Sequence, residues 1–504
     1  MLRFLLLATA VAEAQVSKDT ERVLKQRSLS NPFFELSSPQ LLTTRMRVEY
    51  LEAPLGIDDP APRMSWAPIS AARGAAMASF RIVVASGGAT VWDSGVVVSN
   101  SSVNVAYAGP APASDTDYTW TLTWTDATGA SAPAASAPFS TGLLAQADWR
   151  GAAFVMGAAG ADNNMLRAEF TIPGTAQVTR AKLYIQGLGY YKSWLNGEPT
   201  DAHELGSFTT FEKRILYDAW DVAALLRPGC NAIGVMLGAG WYSEPSVKVG
   251  PRSLIAMLSV TTADGAKTFF ASSLTPGANS LVFSSTVGPV TSDNIYAGEN
   301  YDARLEQPGF AACAFTPPAP WLPAVAAPDP RTVHGSVMSW QSPASAPMID
   351  RDYSVAAITT PSDGVYVVDF AQNMAGTTTF KVVCPNGPQW IYMAYGESLH
   401  PDGTVLNQYG NIMNSNFTCA GTGDVETYKT LFSYYGFRYV QLTNFPGVPD
   451  EGTFTAHFIH SAVGQTGAFN SDNDLLNNIQ HCTRFASLSN LMDVPTDCPQ
   501  RERA

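Results

Sequence analysis

Charge is scarce in this chain. Of its 504 residues, 14% are Asp, Glu, Lys or Arg, against about 25% in a typical soluble protein. The hydrophobic share is 46%, and disorder requires the opposite balance. Long apolar runs are missing too: none reaches the ~18 residues of a membrane-spanning helix. Basic residues are outnumbered, 30 Lys and Arg against 43 Asp and Glu, for a net charge of −13. That balance excludes nucleic acid and anionic membrane surfaces as expected partners, since both select basic patches. The six histidines form no metal-binding spacing. His457 and His460 are three apart in an apparent strand and would face opposite sides. No C-x-x-C, G-x-S-x-G, P-loop or dinucleotide fingerprint occurs, so no metal and no cofactor are expected. What remains is a large soluble protein of about three or four domains with ample apolar area for several cores. A neutral ligand fits this balance. Sugars are the largest such class, although acidity alone does not select them.

The first residues carry a compartment signal. Met1-Leu2-Arg3 precedes the uncharged run 4–12, and Ala12-Glu13-Ala14 has the small-x-small pattern of a cleavage site. A secretory signal over 1–14 is expected, which places the chain in the secretory pathway or outside the cell. The six cysteines (Cys230, Cys313, Cys384, Cys419, Cys482 and Cys498) permit three disulfides in an oxidising compartment. Fifteen pairings are then possible, and buried free thiols are the alternative. Asn100-Ser101-Ser102 and Asn416-Phe417-Thr418 are glycosylation acceptors if the chain is secreted.

The pattern along the chain is mainly β. Residues 15–45 are polar and mixed, and read as a lead-in or linker. Segment 80–86 is rich in β-formers. Tyr118, Trp120, Leu122 and Trp124 alternate with threonines, which puts four large groups on one face of a strand. A first β-sandwich is expected over 46–145. A second follows over 150–315, where Ala181, Leu183 and Ile185 alternate with Lys182, Tyr184 and Gln186. Within it, Ile233, Val235 and Leu237 make another alternating strand, Asn196-Gly197 predicts a hairpin and Asp264-Gly265 a turn. The Pro/Ala-rich segment 316–330 opens an expected linker over 316–344. A third sandwich is expected over 345–462, with strands at 365–370, 390–395 and 437–442 and a loop at Asp402-Gly403. Near 470 the period changes. Leu475, Ile479, Cys482, Phe485 and Leu488 recur at helical spacing, which predicts a helix over 472–492, capped by Ser471 and ended at Val494-Pro495. Such an amphipathic helix needs an apolar partner, and its natural partners are further helices.

The densest polar cluster follows that helix. Asp493-Val494-Pro495-Thr496-Asp497-Cys498-Pro499-Gln500-Arg501-Glu502-Arg503 combines three carboxylates, two guanidiniums and two prolines. Prolines rigidify a loop, which suits a preorganised site. Paired carboxylates are what glycosidic cleavage requires: one protonates the leaving oxygen and the other activates water or attacks carbon. A solvated, salt-bridged loop has the same composition.

This string, DVPTDCPQRER, resembles the signature of the α-L-rhamnosidases of glycoside hydrolase family 78. In that family a D-C-P-x-R-E element opens the catalytic (α/α)6 barrel after its first helix. Other segments are similar in the family's order: PLGIDDPAPRMSW (54–66) to the fibronectin-like N-terminal domain; GLGYYKSWLNGEP (187–199), FEKRILYDAWDVAALL (211–226), NAIGVMLGAGWY (231–242) and AGENYDAR (297–304) to the next β-sandwich; and VVDFAQNMAGTTTFKV (367–382), YGESLHPDGTVLN (395–407) and FSYYGFRYVQLTNFPG (432–447) to the sandwich before the barrel. The resemblance spans roughly 50–504. It implies three consecutive β-sandwich domains followed by the start of an (α/α)6 barrel over 463–504.

The resemblance implies Glu502 as general acid and Asp497 as the acid that holds sugar hydroxyls. Arg501 adjoins Glu502 and either steers it or serves as a structural ion-pair partner. Family enzymes invert the anomeric centre, so a separate general base is implied, about 6.5–9.5 Å away to admit water. An acid working near neutral pH needs its pKa raised by burial, against the pull of Arg501 and Arg503. The family pattern continues with G-W beyond the glutamate, whereas this sequence ends at Ala504. The expectation is therefore an N-terminal fragment of a rhamnosidase, inactive as a 504-residue polypeptide because one acid without a base gives little catalysis. The implied substrate is a rhamnose-containing glycoside or polysaccharide. The competing readings are a non-catalytic carbohydrate-binding or adhesion protein, or a scaffold. Trp241-Tyr242 and Tyr434-Tyr435 are expected in cores rather than stacked on sugars. Glu299 and Asp302 are expected on the surface or in turns.

Overall fold

A computed structural model describes residues 41–158, 163–200, 202–247, 249–318, 320–407 and 413–501. The expected signal at 1–14 lies outside the described residues, as do 15–40 of the expected lead-in; 41–45 already belong to the strand Leu41–Val48. The molecule is mainly β, as expected, and among the described residues no helix is long and apolar enough to cross a membrane.

The described residues divide into two compact units, the first built from 41–52 together with 63–109 and 119–137. In this unit Leu41–Val48 pairs antiparallel with Arg63–Ser70. A second sheet pairs Met77–Ser86 with Ala89–Asp93 and, on its other side, with Asp117–Asp126. The period-two reading of this last strand holds: Tyr118, Trp120, Leu122 and Trp124 are all buried while the threonines between them are not. Trp66 joins the sheets' inner faces, edge-on to Phe80 with ring centroids 5.1 Å apart and tilted against Trp120 at 6.4 Å.

The second unit takes the remaining residues, most of them from 138 onward. One sheet runs Glu198–Pro199, Tyr190–Leu195, Gly229–Gly238, Met165–Ile172, Ser284–Thr286, Leu322–Pro323; an eight-stranded sheet is centred on Ser253–Thr262, Val178–Leu188 and Arg214–Asp221. The Asn196-Gly197 hairpin forms, with both residues at positive φ (53° and 91°), as a two-residue turn matching the strand twist demands. The predicted alternation in 181–186 is only half right. Ala181, Leu183 and Ile185 enter one core and Tyr184 enters another, so the Val178–Leu188 strand is buried on both faces. Each fully buried Leu or Ile contributes roughly 1.5–3 kcal/mol. Lys182 is tolerated there because its ammonium reaches Asp117 at 3.0 Å.

Two boundaries differ from expectation. The segment 316–344 is not a free linker: Leu322–Pro323 pairs with Ser284–Thr286, Val325–Ala326 with Val155–Met156, and Val337–Trp340 runs parallel to Arg214–Asp221. Proline suits such edge positions because it needs no ladder donor. In addition, Gly298–Asp302 leaves the second sandwich and pairs in parallel with Asn414–Thr418 of a ten-stranded sheet.

The long strand of that sheet, Val365–Val383, changes partners along its length. Its first part pairs with Tyr435–Thr443 and its last part with Phe454–Ser461. The pairing with Tyr435–Thr443 crosses a register shift between Asp369 and Met374, where Ala371 has φ 58°, and runs on to Gly376, where the pairing with Phe454–Ser461 begins. Such a bulge bends a strand and re-aims its side chains.

The helix is Asp474–Ser489, shorter than expected at both ends. Its N-cap is Asn473, whose side chain accepts from Leu475 and Leu476; Ser471 instead bonds Asn473 and Asn477 just ahead of it. Of the predicted apolar stripe, Leu475, Ile479 and Cys482 are exposed. Phe485 stacks on Phe458 at 4.9 Å and holds the C-terminal half to the sheet.

Candidate functional site

Beyond the helix, Leu491–Met492 and Val494–Pro495 form a minimal hairpin around Asp493, which sits at φ 68°. Asp and Asn tolerate this left-handed conformation better than other non-glycine residues. The amide and both carboxylate oxygens of Asp493 are engaged. Its amide donates to Ser461 Oγ at 2.8 Å, one carboxylate oxygen accepts from the Phe208 amide at 2.7 Å, and the other accepts from Gln341 Nε2 at 3.2 Å. Burial raises its pKa, opposed by these donors. Met492 is buried in a core with Trp241, Phe432 and Ile459. Three distant segments therefore fix where the acid-rich loop starts.

The loop's far end is fixed from the ten-stranded sheet. Pro499 and Gln500 lie over Gly436, where a Cβ would come within 3.0 Å of the proline ring and 3.1 Å of the Gln500 nitrogen. Gln500 Nε2 donates to Glu397 at 2.7 Å, and Glu397 also accepts from Asn373 Nδ2 at 2.8 Å. Asn373 lies on the bulge of the long strand, so the irregularity there supports the loop. Glu397 was missed by sequence reasoning as a site residue, although it lies within the YGESLHPDG segment.

Of the expected site residues, Asp497 and Arg501 come together: the guanidinium donates to the carboxylate at 3.4 Å, with both side chains about half exposed. Glu502, the expected general acid, and Arg503 lie outside the described residues.

Other expectations resolve clearly. Glu299 is not a surface residue. It is 1% exposed and accepts from the Tyr428 hydroxyl at 3.0 Å and the Leu431 and Phe432 amides at 3.2 and 2.8 Å. Burial, reinforced by the charge of Asp293, pushes its carboxyl up to about 8. Asp302 takes a turn role, accepting from the Arg304 amide at 3.1 Å. Trp241, Tyr242, Tyr434 and Tyr435 are buried core residues, as expected. Four cysteines form two disulfides, Cys230–Cys313 and Cys384–Cys419, and Cys482 and Cys498 take part in neither. Cys384, Cys419 and Glu426 cluster closely enough to suggest a metal. The two sulfurs are spent in a disulfide, however, and Glu426 accepts from the Ala420 and Gly421 amides, so the group does not fit one.

Comparison with known proteins agrees across the chain. Four family models match in order: a Rha78A-like N-terminal immunoglobulin domain at 43–145, an α-L-rhamnosidase N-terminal domain at 176–343, a bacterial α-L-rhamnosidase concanavalin-like domain at 359–460 and a six-hairpin glycosidase domain at 464–504. An α-L-rhamnosidase of Streptomyces avermitilis is 32% identical over 348 residues, covering 67% of this chain and 32% of the relative. A solved α-L-rhamnosidase from Dictyoglumus thermophilum superposes with a TM-score of 0.84 at 29% identity, over 93% of this chain and 54% of that one. The Streptomyces avermitilis enzyme complexed with L-rhamnose also gives 0.84, at 24% identity, over 92% of this chain and 62% of that one. The chain spans between about a third and a half of the length of the curated relatives it matches.

Proposed function

This chain belongs to the α-L-rhamnosidase family, glycoside hydrolase family 78, and from that premise we propose that the protein removes terminal, non-reducing α-L-rhamnose from glycosides or glycans. The chemistry is inversion by two carboxylates. Glu502 protonates the departing glycosidic oxygen while a base carried elsewhere in the six-hairpin domain activates water on the opposite face. Asp497 accepts hydrogen bonds from sugar hydroxyls. Arg501, paired with Asp497 at 3.4 Å, orients that carboxylate. A relative's structure holds L-rhamnose, which supports this substrate class for the present protein.

The observation that carries this reading is the anchoring of the acid-rich loop at both ends, by Asp493 to Phe208, Gln341 and Ser461 and by Gln500 to Glu397. A catalytic group must be held within about 0.5 Å of its working position, and a loop with two fixed ends meets that need. The 504-residue polypeptide alone is expected to show no turnover, because an acid without a base or a water-excluding pocket gives little catalysis. Two disulfides fit an oxidising compartment, so we place the protein in the secretory pathway or outside the cell.

The test is proton NMR of rhamnose released from an aryl α-L-rhamnoside by the protein carrying a whole six-hairpin domain. The β anomer appearing first supports an inverting rhamnosidase. The α anomer first contradicts the mechanism, and no rhamnose at all contradicts the function.

A further inference from the structure

In the first compact unit the chain crosses from one sheet to the other over residues 99–104. It leaves the first at Val97–Val98, which pairs with Phe80 and Ser79, and joins the second at Val105–Ala106, which pairs with Met64 and Arg63. The crossing is pinned along its length. The Ser99 amide donates to the Ala78 carbonyl at 3.1 Å, the Ser102 carbonyl accepts from the Trp66 amide at 2.9 Å, and the Asn104 amide donates to Ser65 Oγ at 2.9 Å. A surface segment fixed in this way can carry a bulky group without disturbing the core.

This crossing holds one of the two acceptor triplets, Asn100-Ser101-Ser102. The Asn100 side chain is exposed. Neither its amide nor the Ser102 hydroxyl has a hydrogen-bond partner among the described residues, so both groups that define an acceptor are available.

The surroundings are apolar. Val96, Val98 and Asn100 are exposed, while Val97 and Ser99 between them are partly covered. That alternation puts the asparagine on the same face as the two valines. Val98 is 88% exposed, Val96 73% and Val103 60%. Apolar side chains this open to water are costly to leave uncovered.

The other triplet is differently placed. Asn416 lies within the strand Asn414–Thr418, paired with Gly298–Asp302 on one side and Trp390–Gly396 on the other. Its Nδ2 donates to Asn300 Oδ1 at 2.7 Å. A sugar on that nitrogen would crowd Asn300 and enter between neighbouring strands only about 4.8 Å away.

We propose that Asn100 is an N-glycosylation site whose glycan covers the valine face, and that Asn416 stays unmodified. The donor is a lipid-diphosphate-linked oligosaccharide of the secretory pathway. Asn100 Nδ2 bonds to the anomeric carbon of the first sugar, the glycosyl–phosphate bond breaks, the lipid diphosphate leaves and one amide proton is released. The attached glycan is bulky and solubilising. The modification rests on the secretory placement proposed above; the choice of Asn100 over Asn416 does not.

The full 504-residue chain, produced in a yeast secretory host, tests this in two forms: with its own residues 1–14, and with a host leader in their place. Peptides from cells and medium are read by mass spectrometry after enzymatic deglycosylation in heavy-oxygen water. In the host-led form Asn100 should be occupied in most chains and Asn416 in few. Ser102→Ala, which leaves Asn100 in place, should abolish the glycan, and Ser102→Thr should keep it. Binding of a hydrophobic dye should rise severalfold in Asn100→Gln and Ser102→Ala and stay low in Ser102→Thr, which guards against a folding defect. An unoccupied Asn100 in the host-led form overturns the site. An occupied Asn416 in the released chain overturns the choice between the two, and unchanged dye binding overturns the covering role. If the host-led form is glycosylated at Asn100 while the form with its own residues 1–14 stays unglycosylated inside the cells, the site stands and the secretory placement fails.

Discussion

The side chain of Gln500 donates to Glu397 across 2.7 Å, joining the acid-rich loop to a sheet formed a hundred residues earlier. Glu397 is in turn held by Asn373, so the loop inherits the rigidity of a strand bulge.

Glu397→Ala should therefore release the loop locally. A hydrogen bond to a charged group contributes roughly 1.5–3 kcal/mol when well formed. Hydrogen exchange at 494–501 should accelerate severalfold, while the doubly buried Val178–Leu188 strand keeps its protection. Unchanged exchange in the loop would mean that the contact does not hold it.

Glu299 makes stability depend on pH. Its folded pKa is raised by burial to about 8 from 4.5, so the folded chain binds the proton more tightly than the unfolded chain. Stability from this group is fullest below the unfolded value and falls as pH rises toward 8. Glu299→Gln removes the titration. Urea denaturation should show the variant gaining relative to wild type between pH 5 and pH 8; parallel pH profiles would contradict the buried carboxyl.

Asp115 has the opposite sign. Burial works to raise its pKa, but Arg180 at 2.7 Å, Ser259 and Lys267 overcome it and hold the carboxyl at about 2. Its contribution is present above the unfolded value of about 3.9 and is lost as pH falls toward 2. Arg180→Met should cost about 1.5–3 kcal/mol at neutral pH, because it removes one charged hydrogen-bond partner and leaves Lys267 at 2.9 Å with Ser259, and should flatten the acid limb of the stability curve. Chemical denaturation at pH 7 and pH 3 checks both effects.

The Cys230–Cys313 bond closes a span of 83 residues. Cys313→Ser should lower stability by about 2–5 kcal/mol in thermal or urea unfolding. A variant as stable as wild type would show that Arg167 alone secures that segment.

Features set by local chemistry were legible in the sequence. The period-two strand at 118–124, the Asn196-Gly197 hairpin and the helix near 480 follow from side-chain alternation, positive φ and helical spacing. The motif strings carried the family. Features that depend on how separate sheets stack were not legible. Nothing local distinguishes Glu299 from an exposed glutamate, and Tyr184 alternates like a surface residue until a second core covers it. Prolines at 316–344 suggested a linker because edge strands tolerate them equally well. Ser471 and Asn473 are both good caps, and the choice between them fell to the hydrogen bonds each makes. The pairings Glu397–Gln500 and Asp493–Phe208 span 103 and 285 residues, beyond the reach of any local pattern.

The rhamnosidase reading is tested most directly by the rate of aryl α-L-rhamnoside cleavage by the protein carrying a whole six-hairpin domain, wild type against Glu502→Gln. A general acid contributes about 10²–10⁴-fold, so the variant should lose at least about a hundredfold in rate while its circular dichroism is unchanged. A variant that retains the wild-type rate would contradict Glu502 as the acid and, with it, the proposed mechanism.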